Sequence, residues 1–258
     1  QEFQNDGQIM TKLESAIRNL VIANRILANE RVVDAYGHVS IRHPDNPEHY
    51  LLSCSRSPEL VEPGDIMEFS FDGKPVGGDK RTPYLERFIH GCIYSGRPEI
   101  NAVVHSHADD VLPFTISKTT RLRVVVHTAG CMGANVPVWD IHDKFGDTNL
   151  LVTNTEQGRD LAAALAANNV VLMSAHGFAA AGRSLLEVVR ISVYLPKNAR
   201  VYLEALRLGE VRLLSPGEIE HKMVKNPDAP EMWRAWEYWA KRAGCGDMLE
   251  IPAWARKE

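Results

Sequence analysis

Ile100-Asn101-Ala102-Val103-Val104-His105-Ser106-His107 is the stretch around which this 258-residue chain is organised. An apolar run drives into His-x-His and stops at the acidic pair Asp109-Asp110. Successive side chains on a strand point to opposite faces, so His105 and His107 share one face. Two imidazoles at a strand end can share a divalent metal ion, because borderline metals favour nitrogen ligands. Taken alone, the pair reads more readily as two half-buried or solvated histidines, since short motifs match often by chance. Its meaning depends on whether the rest of the chain supplies further ligands.

Upstream, Gly37-His38-Val39-Ser40-Ile41-Arg42 sets Val39 and Ile41 against His38, Ser40 and Arg42, the pattern of a half-buried strand. Tyr50-Leu51-Leu52 reads as another short strand, and Ile66-Met67-Glu68-Phe69 with the Asp72-Gly73 turn as a hairpin entry. Between them, Ser53-Cys54-Ser55-Arg56-Ser57-Pro58 is dense in hydroxyls and carries one guanidinium. Such a turn can bind an anion, and it can equally be plain surface. Thr82-Pro83 predicts a helix start, with Leu85, Phe88, Ile89 and Cys92 as a core stripe and Ser95-Gly96 as the end. Glu86 and His90 sit one turn apart beside that stripe, where an acid can simply complement the helix dipole.

Downstream, residues 123–127 and 149–152 read as buried strands and residues 156–167 as an alanine-rich helix. The strand 169–173 ends at Ala175-His176-Gly177, a second apolar strand that delivers a histidine. The glycine after it lets backbone or ligand approach closely. An amphipathic helix begins at Thr11, and a longer one runs from Ser184 to Leu208, with Pro196 expected to kink or split it. Trp233, Trp236 and Trp239 share a helical face in a C-terminal tail, residues 215–258, that packs on its own domain or meets another subunit. Irregular alternation of strands and helices predicts one α/β layered domain over residues 1–258 around a mixed sheet, with residues 1–10 frayed.

Composition narrows the partners. A net charge of -4 argues against nucleic acid, which calls for a basic face. No apolar run approaches the length that spans a membrane. Cys54, Cys92, Cys131 and Cys245 are widely spaced and form no C-x-x-C pair, which fits free thiols in a reducing compartment. A cytoplasmic enzyme is the expectation.

Together, His105, His107 and His176 at strand ends and Glu86 on a nearby helix make a catalytic metal pattern: three imidazoles and an open position. A metal so held acts as a Lewis acid on a bound oxygen, and a neighbouring carboxylate can move the proton. At this point the chain resembles the class II aldolase/adducin family. Residues 37–42 stand where that family has Gly-Asn-x-Ser-x-Arg. Pro83-Tyr84-Leu85-Glu86-Arg87-Phe88-Ile89-His90 resembles its acid/base helix, residues 97–107 its metal strand, and Ala175-His176-Gly177 its third ligand. The resemblance spans about residues 12–214, with the segments in the family's order.

The resemblance implies a three-layer α/β/α fold with a central mixed, mainly antiparallel sheet. It implies a homotetramer with active sites near subunit interfaces. It also implies one divalent metal per subunit on His105, His107 and His176, with Glu86 as acid/base. Manganese or zinc is the expectation, with iron or cobalt also suited to imidazole.

The departures bear on substrate. Sugar-phosphate aldolases of the family carry two small hydroxyl residues before the glutamate, and here Tyr84 and Leu85 stand there. The family's early Asn is His38, and the glycine of its first phosphate loop is replaced within residues 53–57. In these features the chain is similar to aldolase-like decarboxylases of hydroxylated aromatic and pyridine dicarboxylates. The implied activity is decarboxylation of a small carboxylate, with Glu86 and His38 catalytic and Ser40, Ser55, Arg56, Tyr84 and His127 as candidate substrate contacts. An aldolase or dehydratase acting on a small sugar or hydroxyketo compound is the alternative. A non-catalytic adducin-like interaction module is a third reading, disfavoured because it has no need of three histidines and Glu86.

Overall fold

The computed structural model describes residues 3–5 and 8–256. Its elements in order are β1 (Phe3–Asn5), β2 (Gln8–Met10), α1 (Lys12–Asn29), β3 (His38–Arg42), β4 (His49–Ser53) and β5 (Ile66–Ser70). Then come α2 (Arg87–Gly96), β6 (Ala102–Ser106), α3 (Leu112–Ile116), β7 (Val138–Trp139), α4 (His142–Phe145) and α5 (Thr155–Leu165). The chain closes with β8 (Val170–Met173), β9 (Gly177–Gly182), α6 (Leu185–Leu208), α7 (Pro216–Lys222) and α8 (Pro230–Arg242). Part of the segment expected to fray, residues 1, 2, 6 and 7, lies outside the described residues; around it, β1 pairs antiparallel with β2.

Seven strands form one sheet in the order β5-β4-β3-β6-β9-β8-β7. Every neighbouring pair is antiparallel except β7 with β8, so the sheet is mixed and mainly antiparallel. Helices cover both faces. Val39, Ile41, Ala102 and Val104 point to the side packed by α1, α6 and α8, whereas Leu52, Val103 and Ala181 point to the side packed by α2 and α5. This is the three-layer α/β/α arrangement, and strand parity creates it. His38, Ser40 and His105 have the parity of Val103 and so lie beneath α2.

Several local expectations fail for identifiable reasons. The helix after Thr82-Pro83 begins only at Arg87. Thr82 precedes a proline and is therefore biased toward extended backbone. Its carbonyl accepts the Ser55 N–H at 2.8 Å, and Pro83 bridges Cys54. Leu85 is 61% exposed rather than a core residue. Residues 123–127 are not a strand: the buried Asn198 side chain accepts the Val125 N–H at 2.9 Å and donates to the Arg123 carbonyl at 2.8 Å. That amide, with Leu214 donating to the Val124 carbonyl, satisfies backbone groups that a sheet ladder would otherwise take. Residues 149–152 are likewise irregular.

The long helix α6 runs through Pro196 as a single element, opened by Ser184, whose hydroxyl accepts the Glu187 N–H. In α8, Trp236 and Trp239 are buried against the chain's own core, with α1 and α6 as the neighbours. All four cysteines are free. Among the described residues no helix is long and apolar enough to cross a membrane.

Candidate metal centre

One helical stripe and two strand faces build the site. Glu86, at the N-cap of α2, is followed at four-residue intervals by His90 and Tyr94, so all three look down on the sheet from one side of the helix. Below them β3 presents His38 and Ser40, and His38 lies directly across the ladder from His105. His107 continues the line just past β6. His176 arrives from the tight turn between β8 and β9, where Met173 pairs with Gly177.

The three imidazoles converge through their Nε2 atoms. His107 Nε2 lies 2.9 Å from His105 Nε2 and 3.1 Å from His176 Nε2. Glu86 Oε2 is 3.3 Å from His105 Nε2 and 3.4 Å from His176 Nε2. All four ligand atoms fall within 4.8 Å of one another.

Hydrogen bonding on the far side of the rings decides what these nitrogens can do. His105 Nδ1 donates to the Phe178 carbonyl at 3.0 Å, and His176 Nδ1 donates to the Leu150 carbonyl at 2.9 Å. A neutral imidazole with its proton on Nδ1 has only a lone pair on Nε2. With both rings in that neutral form, two lone pairs face the His107 nitrogen, which has at most one proton to share, and Glu86 adds an acceptor. This donor set lacks hydrogens and fits a cation. Nitrogen ligands at about 2.05 Å around a tetrahedral ion sit roughly 3.3 Å apart, close to the observed spacing. His105, His107 and His176 would hold the ion, with Glu86 beside it.

Glu86 is 6% exposed and is fixed by the Val152 N–H, which donates to its Oε1 at 2.9 Å. Burial acts to raise its pKa, but positive charge at His105 and His176 outweighs this and holds the carboxyl below the usual range. Against the burial that would lower it, the same carboxylate raises His176 above its ordinary value. Burial, then neighbouring His105 and His176, push His107 down to about 4. Burial, then His105, push His90 down to about 3. Burial, reinforced by His90 and His105, places His38 well below its ordinary value. These three rings are neutral at pH 7.

The centre opens on a cavity of about 370 Å³ lined by His38, Ser55, Arg56, Tyr84, Glu86 and His107 among others. Tyr84 lies against the His38 ring, centroids 4.7 Å apart, and donates its hydroxyl to the Arg56 carbonyl. Arg56 Nε is engaged by the Leu60 carbonyl at 2.6 Å and by Asp65 at 3.3 Å. Ser40 does not line the cavity. It is fully buried and bonds His90 and Tyr94. His127 is exposed and lines a separate cavity with Arg190, Tyr194 and Trp239.

Sequence reasoning missed the irregular segment 150–152. Leu150 adopts φ 66, which non-glycine residues rarely do, and its carbonyl holds His176 while Val152 holds Glu86. Ala175, at φ 53, is a second such residue in the turn that presents His176. Neither has a sequence signature beyond its neighbourhood, because backbone groups do the work.

The family model for the class II aldolase and adducin N-terminal domain matches residues 18–203. The chain belongs to the class II aldolase and adducin family. Within that family it is 33% identical over 254 residues to "Decarboxylase tropJ" of Talaromyces stipitatus, covering 90% of this chain and 95% of that one. It is 27% identical over 205 residues to a 3,4-dihydroxyphthalate decarboxylase of Arthrobacter keyseri, covering 74% and 78% of the two chains. The L-fuculose 1-phosphate aldolase from Glaciozyma antarctica PI12 superposes with a TM-score of 0.69 at 21% identity, over 88% of each chain. That likeness shows a shared class II aldolase fold.

Proposed function

We propose that this class II aldolase family member is a divalent-metal-dependent decarboxylase of a hydroxylated aromatic or pyridine carboxylate. The observation that carries the reading is the junction of the imidazole cluster with a cavity whose hydroxyl-rich turn is closed by Tyr84. Where a phosphate-binding pair of small hydroxyls would stand, Tyr84 presents a ring and Leu85 an exposed aliphatic chain. Such walls suit a flat ring better than a phosphorylated sugar. The similarity to two proteins named decarboxylases, one over nearly its whole length, supports the same choice.

A bound divalent ion supplies Lewis-acid stabilisation of the electron pair left on the substrate when the carbon–carbon bond breaks. The chain's own residues do the rest. Ser55 and the Arg56 guanidinium, through the nitrogens not engaged by Leu60 and Asp65, hold a substrate carboxylate at the cavity rim. His38 and Tyr84 flank the ring. Carbon dioxide leaves with the carboxylate carbon, its bonding pair stays on the ring carbon, and one proton replaces it there. Glu86 and His38 are the two cavity groups able to move that proton. The ion is manganese or zinc, the active enzyme is a cytoplasmic homotetramer, and its sites lie near subunit interfaces.

The test is a carbon dioxide release screen with ortho-hydroxy aromatic and pyridine carboxylates, run with several divalent metals. Cleavage of ketose 1-phosphates to dihydroxyacetone phosphate, without carbon dioxide release, would favour the aldolase alternative instead. Full decarboxylase activity after exhaustive chelation, or in His105→Ala, would sink the metal role.

A further inference from the structure

Behind His38 runs a hydrogen-bond chain that the reaction above does not use. His38 Nδ1 lies 2.7 Å from His90 Nε2, His90 Nδ1 lies 2.6 Å from Ser40 Oγ, and Ser40 Oγ lies 2.8 Å from the Tyr94 hydroxyl. All of it is dry: Ser40 and His90 are 0% exposed and Tyr94 is 1% exposed. Tyr50 covers the chain, its ring within 14° of parallel to that of His90. The four residues come from two elements at fixed spacings, i and i+2 on β3 and i and i+4 on α2.

We infer that His90, Ser40 and Tyr94 are positioning residues that hold His38 in the neutral tautomer with its proton on Nε2, making it a hydrogen-bond donor to the cavity. The argument is a count of hydrogens. Tyr94 has one, and Ser40 Oγ is the hydroxyl's partner among the described residues. Given to Ser40, it leaves the serine's own hydrogen to go to His90 Nδ1. A neutral His90 then carries its proton on Nε2 and donates it to His38 Nδ1. A neutral His38 therefore keeps its single proton on Nε2, the nitrogen left to meet a ligand. Reversing every bond would strand the Tyr94 hydrogen in a buried place with no acceptor, which folded proteins avoid.

The consequence rests on the decarboxylase reading above. A donor at His38 suits an anionic oxygen of the substrate, whereas the opposite tautomer would set a lone pair against it. The side chain at position 38 would thus be selected for anions by residues that never touch them.

The tautomer can be read without any activity. Full-length protein labelled with ¹⁵N-histidine, metal-free and loaded with zinc as a diamagnetic probe, gives long-range ¹H–¹⁵N correlations that distinguish the two neutral tautomers. His38 is assigned by the signals lost in His38→Gln. The expected result is an Nε2–H tautomer with a hydrogen-bonded Nδ1. His90→Leu should remove the hydrogen-bond shift of His38 Nδ1, and His90→Gln, whose amide can still donate, should keep it. With a decarboxylated substrate in hand, His90→Leu should lose about tenfold in kcat/KM at unchanged metal content, and His90→Gln should recover most of it.

An Nδ1–H tautomer of His38 in the wild type overturns the inference, as does a His38 spectrum untouched by His90→Leu. Should His90→Leu fail to fold, the wild-type tautomer and His90→Gln still decide. Absence of any decarboxylase activity would refute the functional reading alone, since the spectra report on the relay independently.

Discussion

Gly177 is where the third histidine of the candidate metal centre meets the other two, and replacing it with alanine tests the geometry most directly. The residue follows His176 and opens β9, against the end of β6. A Cβ built there would lie 2.0 Å from the Ser106 carbonyl oxygen and 3.0 Å from the His107 Cα. The obstacle is backbone and cannot rotate away. Its φ of 158° also lies where L side chains rarely sit, so backbone conformation and space both demand glycine. Moving the new Cβ from 2.0 Å to the 3.0 Å that real Cβ atoms respect requires 1.0 Å of separation between the segments bearing His176 and His107.

A functional constellation tolerates only about 0.5 Å of displacement. Overpacking of this kind costs about 1–3 kcal/mol, and a backbone obstacle places Gly177→Ala near the upper end. For a chain of this size that lowers Tm by roughly 5–10 °C. Misaligned ligands should weaken divalent-ion binding by about 10–100-fold, as loss of a supporting contact does. Calorimetry of the metal-free protein and competition against a chromophoric chelator measure the two effects separately. Gly64→Ala is the control, because nothing lies within 4 Å of a Cβ at that position. A Gly177→Ala protein that binds the ion like the wild type and melts with the Gly64→Ala control would refute the reasoning.

Other expectations follow from the same contacts. Glu86→Gln should retain the bound ion while kcat falls by about 10²–10⁴, checked by metal analysis beside steady-state rates. Arg42 donates to the carbonyls of Ile100, Tyr94 and Arg97 at 3.0, 3.1 and 3.1 Å and so caps the C-terminal end of α2; Arg42→Met should cost roughly 2–4 kcal/mol in urea unfolding with m unchanged. His90, held down to about 3 by burial and then by His105, stays unprotonated in the folded chain while the unfolded chain takes up a proton below about pH 6.5. Stability should therefore fall as pH drops from about 6.5 toward 3, by up to about 1.4 kcal/mol per pH unit from this group. His90→Gln should lack that component, and acid unfolding curves of the two proteins should converge if the assignment is wrong.

The parts of the site legible in the sequence are those in which chemistry and parity coincide. His105 and His107 share a face because a strand repeats every two residues, and His38 and Ser40 share the same face of β3 for that reason. His176 at a strand end and Glu86 ahead of a helical stripe completed a donor set recognisable from residue types alone. The same reasoning misplaced the start of α2, because the extended bias of a residue before proline outweighed Thr82 as a cap. It also read residues 123–127 as a strand, because apolar β-branched runs look alike whether a neighbouring strand or the side chain of Asn198 takes their hydrogen bonds.

By itself, then, the sequence determined which atoms could bind a metal and which layer of the fold they would face, since side-chain identity and strand periodicity are local properties. Only the tertiary structure decided how those atoms point. The Phe178 and Leu150 carbonyls choose the protonated nitrogen of His105 and His176, and the Val152 N–H anchors Glu86. His38 takes its orientation from His90 on another element. Each of these groups acts through position in space: a backbone carbonyl is the same in every residue, and what it meets is set by the packing of distant segments.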